Sequence, residues 1–228
     1  DGSEAVYVDR LVDASMLAYE RPTPWTELPG PVEGRAQPLP DGRIVYGRRV
    51  EDGTSDLVVF DPKNPEAGSP SWLALNTPSQ EFAPALGADG RLYFASDRPG
   101  GAGGFDLYSV RLDGSTVSDL RPASAAVNTG LDETDPAPDP SGGLVFVRRD
   151  PALNGGRNGV LWRAAADDTA SPVLPDVDRL AGEIDRDPCF AADGVGLWFV
   201  RQTPGFGGRV ARTWRHRGAF VRPRFVDE

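Results

Sequence analysis

An apolar pair, an aromatic residue, a small or branched apolar residue and then polar residues recur five times along the chain. The copies are AVYVDR (5–10), IVYGRR (44–49), LYFASD (92–97), LVFVRR (144–149) and LWFVRQ (197–202). Their aromatic residues, Tyr7, Tyr46, Phe94, Phe146 and Phe199, stand 39, 48, 52 and 53 residues apart. Self-similarity at that period marks a repeat architecture. Four or five residues before each aromatic is a glycine (Gly2, Gly42, Gly90, Gly142, Gly194), preceded by Asp everywhere except at Ser141. Asp-Gly between two apolar segments is a hairpin signal, because glycine takes the positive φ that tight turns require.

Before that turn lies a further element, marked by Pro38, Pro84, Pro136 and Pro188, which the first copy lacks. Ten to fourteen residues after each aromatic comes another apolar segment, aligned on Leu17, Leu57, Leu107, Val160 and Val210. A last short segment opens near Trp25, Trp72, Val117, Val173 and Phe220. Each unit reads as three or four short antiparallel strands joined by Gly, Asp and Pro turns, and no run has helical period and length. A sandwich does not require five copies of one four-strand pattern. Radial packing of equivalent sheets does, so the expectation is an all-β propeller of five blades. The blade units fall at about 1–30, 31–76, 77–128, 129–180 and 181–228, within one domain. The first blade is expected to be incomplete or to be closed by the C-terminus. PRFVDE (223–228) resembles PCFAADG (188–194) and could supply the missing strand; alternatively, residues 220–226 form the outer strand of the last blade.

Composition narrows the partner. The net charge of −10 argues against nucleic acid, which is held largely by clustered Lys and Arg. No apolar stretch approaches the ~20 residues that span a bilayer. Cys189 is the only cysteine and excludes an intramolecular disulfide; in a strand beside Phe190 it is expected to be a buried, inert thiol. The chain starts at Asp1 with neither Met nor leader, as expected of a processed or trimmed fragment whose targeting segment is missing.

The stretch LNTPSQEFAPALGADGRLYFASDRPGGAGGFDLYSVRLDG (75–114) resembles the TolB-like β-propeller repeat, a WD40-like repeat also found with OmpA-type peptidoglycan-associated envelope proteins; VNTGLDETDPAPDPSGGLVFVRRD (127–150) repeats its opening. The resemblance implies a binding platform of the bacterial envelope, periplasmic or associated with the outer membrane, whose partner is a protein or a peptidoglycan-associated component. No reaction follows from such a fold.

Candidate chemistry is sparse. DRPGGAGG (97–104) leads from strand to strand and has no Gly-Lys-Ser/Thr, so it reads as a hairpin connection rather than a phosphate cradle. Asp97 and Asp106 flank it, and with Arg98 they could give this blade a contact its siblings lack. Ca²⁺ is the one cofactor the loop admits, although two carboxylates fall short of the six to eight oxygens it takes. Glu81, Glu133 and Asp185 each precede a repeat proline by three residues. At a channel mouth they could serve a glycoside hydrolase or lyase, whereas a recurring acid more simply does the same structural job in each blade. Arg48, Arg148 and Arg201 close the second strand of three units and could form a basic collar for a carboxylate. His216 is the sole histidine and has no nucleophile motif near it. The expectation is a non-enzymatic binding module without catalytic residues.

Overall fold

The computed structural model describes residues 28–65, 75–113, 116–150, 159–174, 182–205 and 207–226, together with the backbone of four short strands within residues 6–26. The described residues are strand, turn and loop apart from Pro65, which is in 3₁₀ conformation. Three strands, β5 (Val32–Pro38), β6 (Ile44–Arg49) and β7 (Ser55–Phe60), form one antiparallel sheet. Next come β8 (Glu81–Leu86), β9 (Arg91–Ser96), β10 (Asp106–Asp113) and β11 (Thr116–Pro122), which run in sheet order as in the chain. The third sheet is β12 (Asp132–Pro138), β13 (Leu144–Arg149), β14 (Val160–Ala164) and β15 (Ala170–Pro172). The last is β16 (Ile184–Phe190), β17 (Gly196–Thr203), β18 (Gly207–His216), β19 (Ala219–Phe220) and β20 (Arg224–Phe225). The sheets pack face to face through their first strands, β5 on β8, β8 on β12 and β12 on β16. This is the propeller arrangement.

The hairpins form as the sequence predicts in these four sheets, three at Asp-Gly and one at Ser141-Gly142. Gly42, Gly90, Gly142 and Gly194 all have positive φ, and each N–H closes a turn on the carbonyl three residues back, at Leu39, Gly87, Asp139 and Ala191. Asp41, Asp89 and Asp193 accept the N–H two residues on, which is why Asp precedes the glycine. The aromatic column is the core: Tyr46, Phe94, Phe146 and Phe199 are among the largest fully buried side chains. A sheet covered on both faces buries alternate side chains on both sides, so its second strand reads as a continuous apolar run rather than an alternating one.

Among the described residues, five equivalent blades are not found. The first unit forms two ribbons instead: β1 (Val6–Val8) pairs with β4 (Thr23–Thr26), and β2 (Leu11–Asp13) pairs with β3 (Ala18–Tyr19). The described residues thus form four meander blades. The unit that departs is the one lacking the proline-marked strand, the strand on which the other sheets register. Gly2, Leu17 and Trp72 lie outside the described residues, as do the side chains of Tyr7 and Trp25. The C-terminus completes its own blade. Both β19 and β20 pair with β18, so of the two readings of residues 220–226 the outer-strand one holds.

Each first strand carries a bulge at one position. Gly34, Ala83, Asp135 and Asp187 have φ of 71°, 52°, 52° and 54°, in the left-handed region that non-glycine residues rarely enter. Pro84, Pro136 and Pro188 follow, where a missing N–H costs no ladder bond. The ladder also corrects the alignment of Pro38. It pairs with Ile44, as Leu86, Pro138 and Phe190 pair with Leu92, Leu144 and Leu197. β5 has one residue more than its siblings between the bulge and this point, so Arg35 follows Gly34 as Pro84, Pro136 and Pro188 follow Ala83, Asp135 and Asp187.

Candidate functional site

The polar residues singled out in the sequence assemble one recurring structure inside the blades. Asn76 places its side chain between the N–H and the carbonyl of Leu57, and Asn128 does the same to Leu107. Each clamps the third strand of one blade. The next residue holds the acid that opens the following blade: Thr77 donates to Glu81 from its N–H (3.0 Å) and hydroxyl (2.7 Å). Thr129 donates likewise to Glu133, at 2.9 and 2.6 Å. Asn-Thr is thus a latch between neighbouring blades.

The acids are in turn bound by guanidinium groups. Arg148 Nε lies 2.8 Å from Glu133 and its guanidinium stacks over Phe146 and Trp162. Arg201 binds Asp185 through Nε (2.8 Å) and Nη2 (3.1 Å) and covers Phe199. In the blade between β8 and β11 the ladder position of Arg148 is Ser96. There Arg98, two residues further on, folds back: Nη2 reaches Glu81 at 3.2 Å, Nε bonds Ser96 Oγ, and the guanidinium lies over Phe94 and Tyr108. Ser-Asp-Arg and Val-Arg are two routes to one arrangement, an acid below and an aromatic ring above a buried cation. Asp97 accepts the Gln80 N–H at 2.7 Å, and Asp106 the loop N–H groups of Ala102 and Gly103.

These contacts decide where the candidate residues act. Glu81, Glu133 and Asp185 are 0% exposed and satisfied within separate blades, so they do not form the acid–base pair that a glycoside hydrolase needs. Arg148 and Arg201 are buried against them, not displayed as a collar. Arg48 faces Val32, where its siblings face carboxylates. His216 is exposed at the end of β18.

Residues the sequence reading passed over line the central channel. A cavity of about 400 Å³ is bounded by residues at and just before the bulges, including Glu33, Gly34, Phe82, Thr134, Asp135, Arg186 and Asp187. Beyond the bulges a second cavity, about 360 Å³, is bounded by Arg35, Gln37, Ala85, Ala137, Cys189 and Phe190 among others. Arg35 crosses the channel, donating from Nε to Pro84 O (3.2 Å) and from Nη1 to Pro188 O (2.5 Å). Cys189 is exposed, contrary to the expected buried thiol, because the first strand of a blade faces the channel on its alternate residues. Burial, then the charge of Asp187, push the Asp135 carboxyl up to about 6, against the opposing pull of Arg35 and a bond from Thr134. Desolvation likewise lowers the Arg35 guanidinium from its ordinary value. The only sequence signal for this pair was Asp immediately before the repeat proline in ETDP and DRDP.

The geometry defines a β-propeller with an open, charged channel. Among solved structures the chain is similar to TolB from Acinetobacter baumannii, with 17% identity over 92% of this chain and 48% of that one (TM-score 0.53). It is also similar to a putative TolB from Agrobacterium tumefaciens, with 18% identity over 96% of this chain and 74% of that one (TM-score 0.56). A putative oxidoreductase (glucose dehydrogenase) from Thermus thermophilus matches at 15% identity over 85% of this chain and 65% of that one (TM-score 0.51). The fold is therefore a TolB-like β-propeller, and the chain spans about half the length of the Acinetobacter protein. No family model and no curated protein matches the sequence. A fold shared with a putative oxidoreductase leaves function to the site. Among the described residues, no helix is long and apolar enough to cross a membrane.

Proposed function

We propose that the chain is a non-enzymatic binding module of the bacterial cell envelope, in the periplasm or at the outer membrane, that engages a protein or peptidoglycan-associated partner at one mouth of its channel. The observation that carries this reading is the division of labour among its charged residues. The recurring acids and arginines are used up in holding blades together, while Asp135, Asp187 and Arg35 sit at different depths of an open channel walled by four rigid strands. Loops and channel linings on such a scaffold vary without cost to the core. The likeness to TolB structures supports an envelope setting.

The test is a pull-down from envelope extract, with and without the peptidoglycan fraction, using the chain and its Asp187→Arg variant. A species retained by the chain and lost with the variant is expected. If nothing is specifically retained, or the variant retains the same species, the channel-mouth reading fails.

A further inference from the structure

On the far side of the bulges the channel opens into the cavity of about 360 Å³ that Arg35 bounds. Arg35 is the only charged side chain in its lining. The Gln37 amide and the Cys189 thiol are beside it, and the rest of the wall is apolar, with Leu86, Pro138 and Phe190 in it. The cavity bounded by Asp135 and Asp187 is the opposite, lined by carboxylates and guanidinium groups together.

The Arg35 guanidinium is held but not neutralised. Nε and Nη1 donate to the carbonyls of Pro84 and Pro188, on two different blades, and this fixes the plane of the group. Nη2 is buried and has no acceptor among the described residues. Desolvation is the largest influence on the group and lowers its pKa, against the through-space pull of Asp135, Cys189 and Asp187, none of which bonds it. A buried cation with an unused donor is costly, and a contacting anion relieves both defects.

The lining selects among anions. A carboxylate can take two parallel bonds from one guanidinium, which satisfies its charge and most of its lone pairs. Phosphate or sulfate would turn further oxygens toward a wall whose one side-chain amide, Gln37, already donates to Pro38 O. Leu86, Pro138 and Phe190 offer hydrocarbon to the remainder of a ligand, and the volume is that of a small-molecule pocket.

We propose that this cavity binds a monocarboxylate with an apolar body, its carboxylate on Arg35 and its hydrocarbon against Pro138 and Phe190. A free small acid and the C-terminus of a peptide ending in an apolar residue present this same chemistry. The site lies across the bulges from Asp187, so it does not rest on the partner reading above.

Cys189 is the only cysteine and is exposed on this wall, so its alkylation by iodoacetamide reports occupancy. N-acetyl-leucine should slow alkylation of the chain saturably, and the neutral N-acetyl-leucinamide should need a concentration at least about tenfold higher. Arg35→Gln should raise the half-protecting concentration of the acid to that of the amide. The comparison of acid with amide uses the parent chain alone, so it stands even if the variant folds poorly. The peptide Gly-Gly-Ala-Leu, with a free or an amidated C-terminus, separates the sources: protection by the free peptide assigns a chain terminus, and protection by N-acetyl-leucine alone assigns a free acid. The proposal is overturned if the acid does not slow alkylation, if acid and amide protect alike, or if Arg35→Gln leaves the effect of the acid unchanged. No envelope partner enters these readouts, so their failure and that of the pull-down are separate results.

Discussion

The blade of β8 to β11 and the blade of β12 to β15 reach the same buried ion pair from different sequences. In the second, Arg148 stands on the strand and meets Glu133 directly. In the first, Ser96 holds that ladder position and Arg98 returns from the loop. The aromatic pairs that the guanidinium groups cover, Phe94 with Tyr108 and Phe146 with Trp162, are cross-strand neighbours in both. What the fold selects is a cation at one point in space, and a shift of two residues along the chain is absorbed by the loop.

The comparison breaks most sharply at the acid. Among the described residues Glu133 is held by Thr129 and Arg148 alone, so Arg148→Ala leaves a buried carboxylate undercompensated and should cost about 3–5 kcal/mol in denaturant unfolding. Glu81 has an additional donor, Ser96 Oγ at 2.8 Å, so Arg98→Ala should cost less, about 1–3 kcal/mol. Equal losses would mean that the two blades do not differ as their bonding implies. The double change Ser96→Arg with Arg98→Ser transposes one solution into the other; it should recover part of the loss of Arg98→Ala, and no recovery would show the loop route to be obligatory.

At the bulge the two blades differ again, Ala83 in one and Asp135 in the other. A carboxyl whose folded pKa is about 6 but whose unfolded pKa is about 3.9 penalises folding only where it ionises. The penalty is absent below about pH 4, grows between pH 4 and 6 and is at most roughly 3 kcal/mol above that. Asp135→Asn, which tolerates the same positive φ, should therefore be more stable than the parent at pH 7.5 and equal to it near pH 4. A difference that does not vary with pH would mean that Asp135 does not titrate in this window. The smallest effect expected is at the latch. Thr129→Val should cost about 1–2 kcal/mol and Thr77→Val less, since Ser96 shares the load on Glu81.

The local part of this fold was legible in the sequence. Three Asp-Gly turns and one Ser-Gly turn announced four hairpins because turn chemistry is set by two or three adjacent residues. The aromatic column announced the core because a strand buried on both faces keeps its apolar run wherever it lies. Where the reading failed, the answer depended on partners far along the chain. Pro38 matched the repeat prolines by spacing, yet the extra residue in the bulge of β5 shifted the register and put Arg35 in their place. Glu81 and Arg98 were both noticed, but as candidates for separate sites; nothing in their spacing of 17 residues says that they bond.

By itself the sequence determined the strands, the turns and the class of fold, because those follow from side-chain period and backbone φ preferences acting over a few residues. Only the tertiary structure decided that the first unit pairs as ribbons, that the C-terminus finishes its own blade, and that the recurring acids serve the scaffold while Asp135 and Asp187 face the channel. Strand pairing and the desolvation of charge are settled by which surfaces meet, and that is a property of the packed chain rather than of any segment of it.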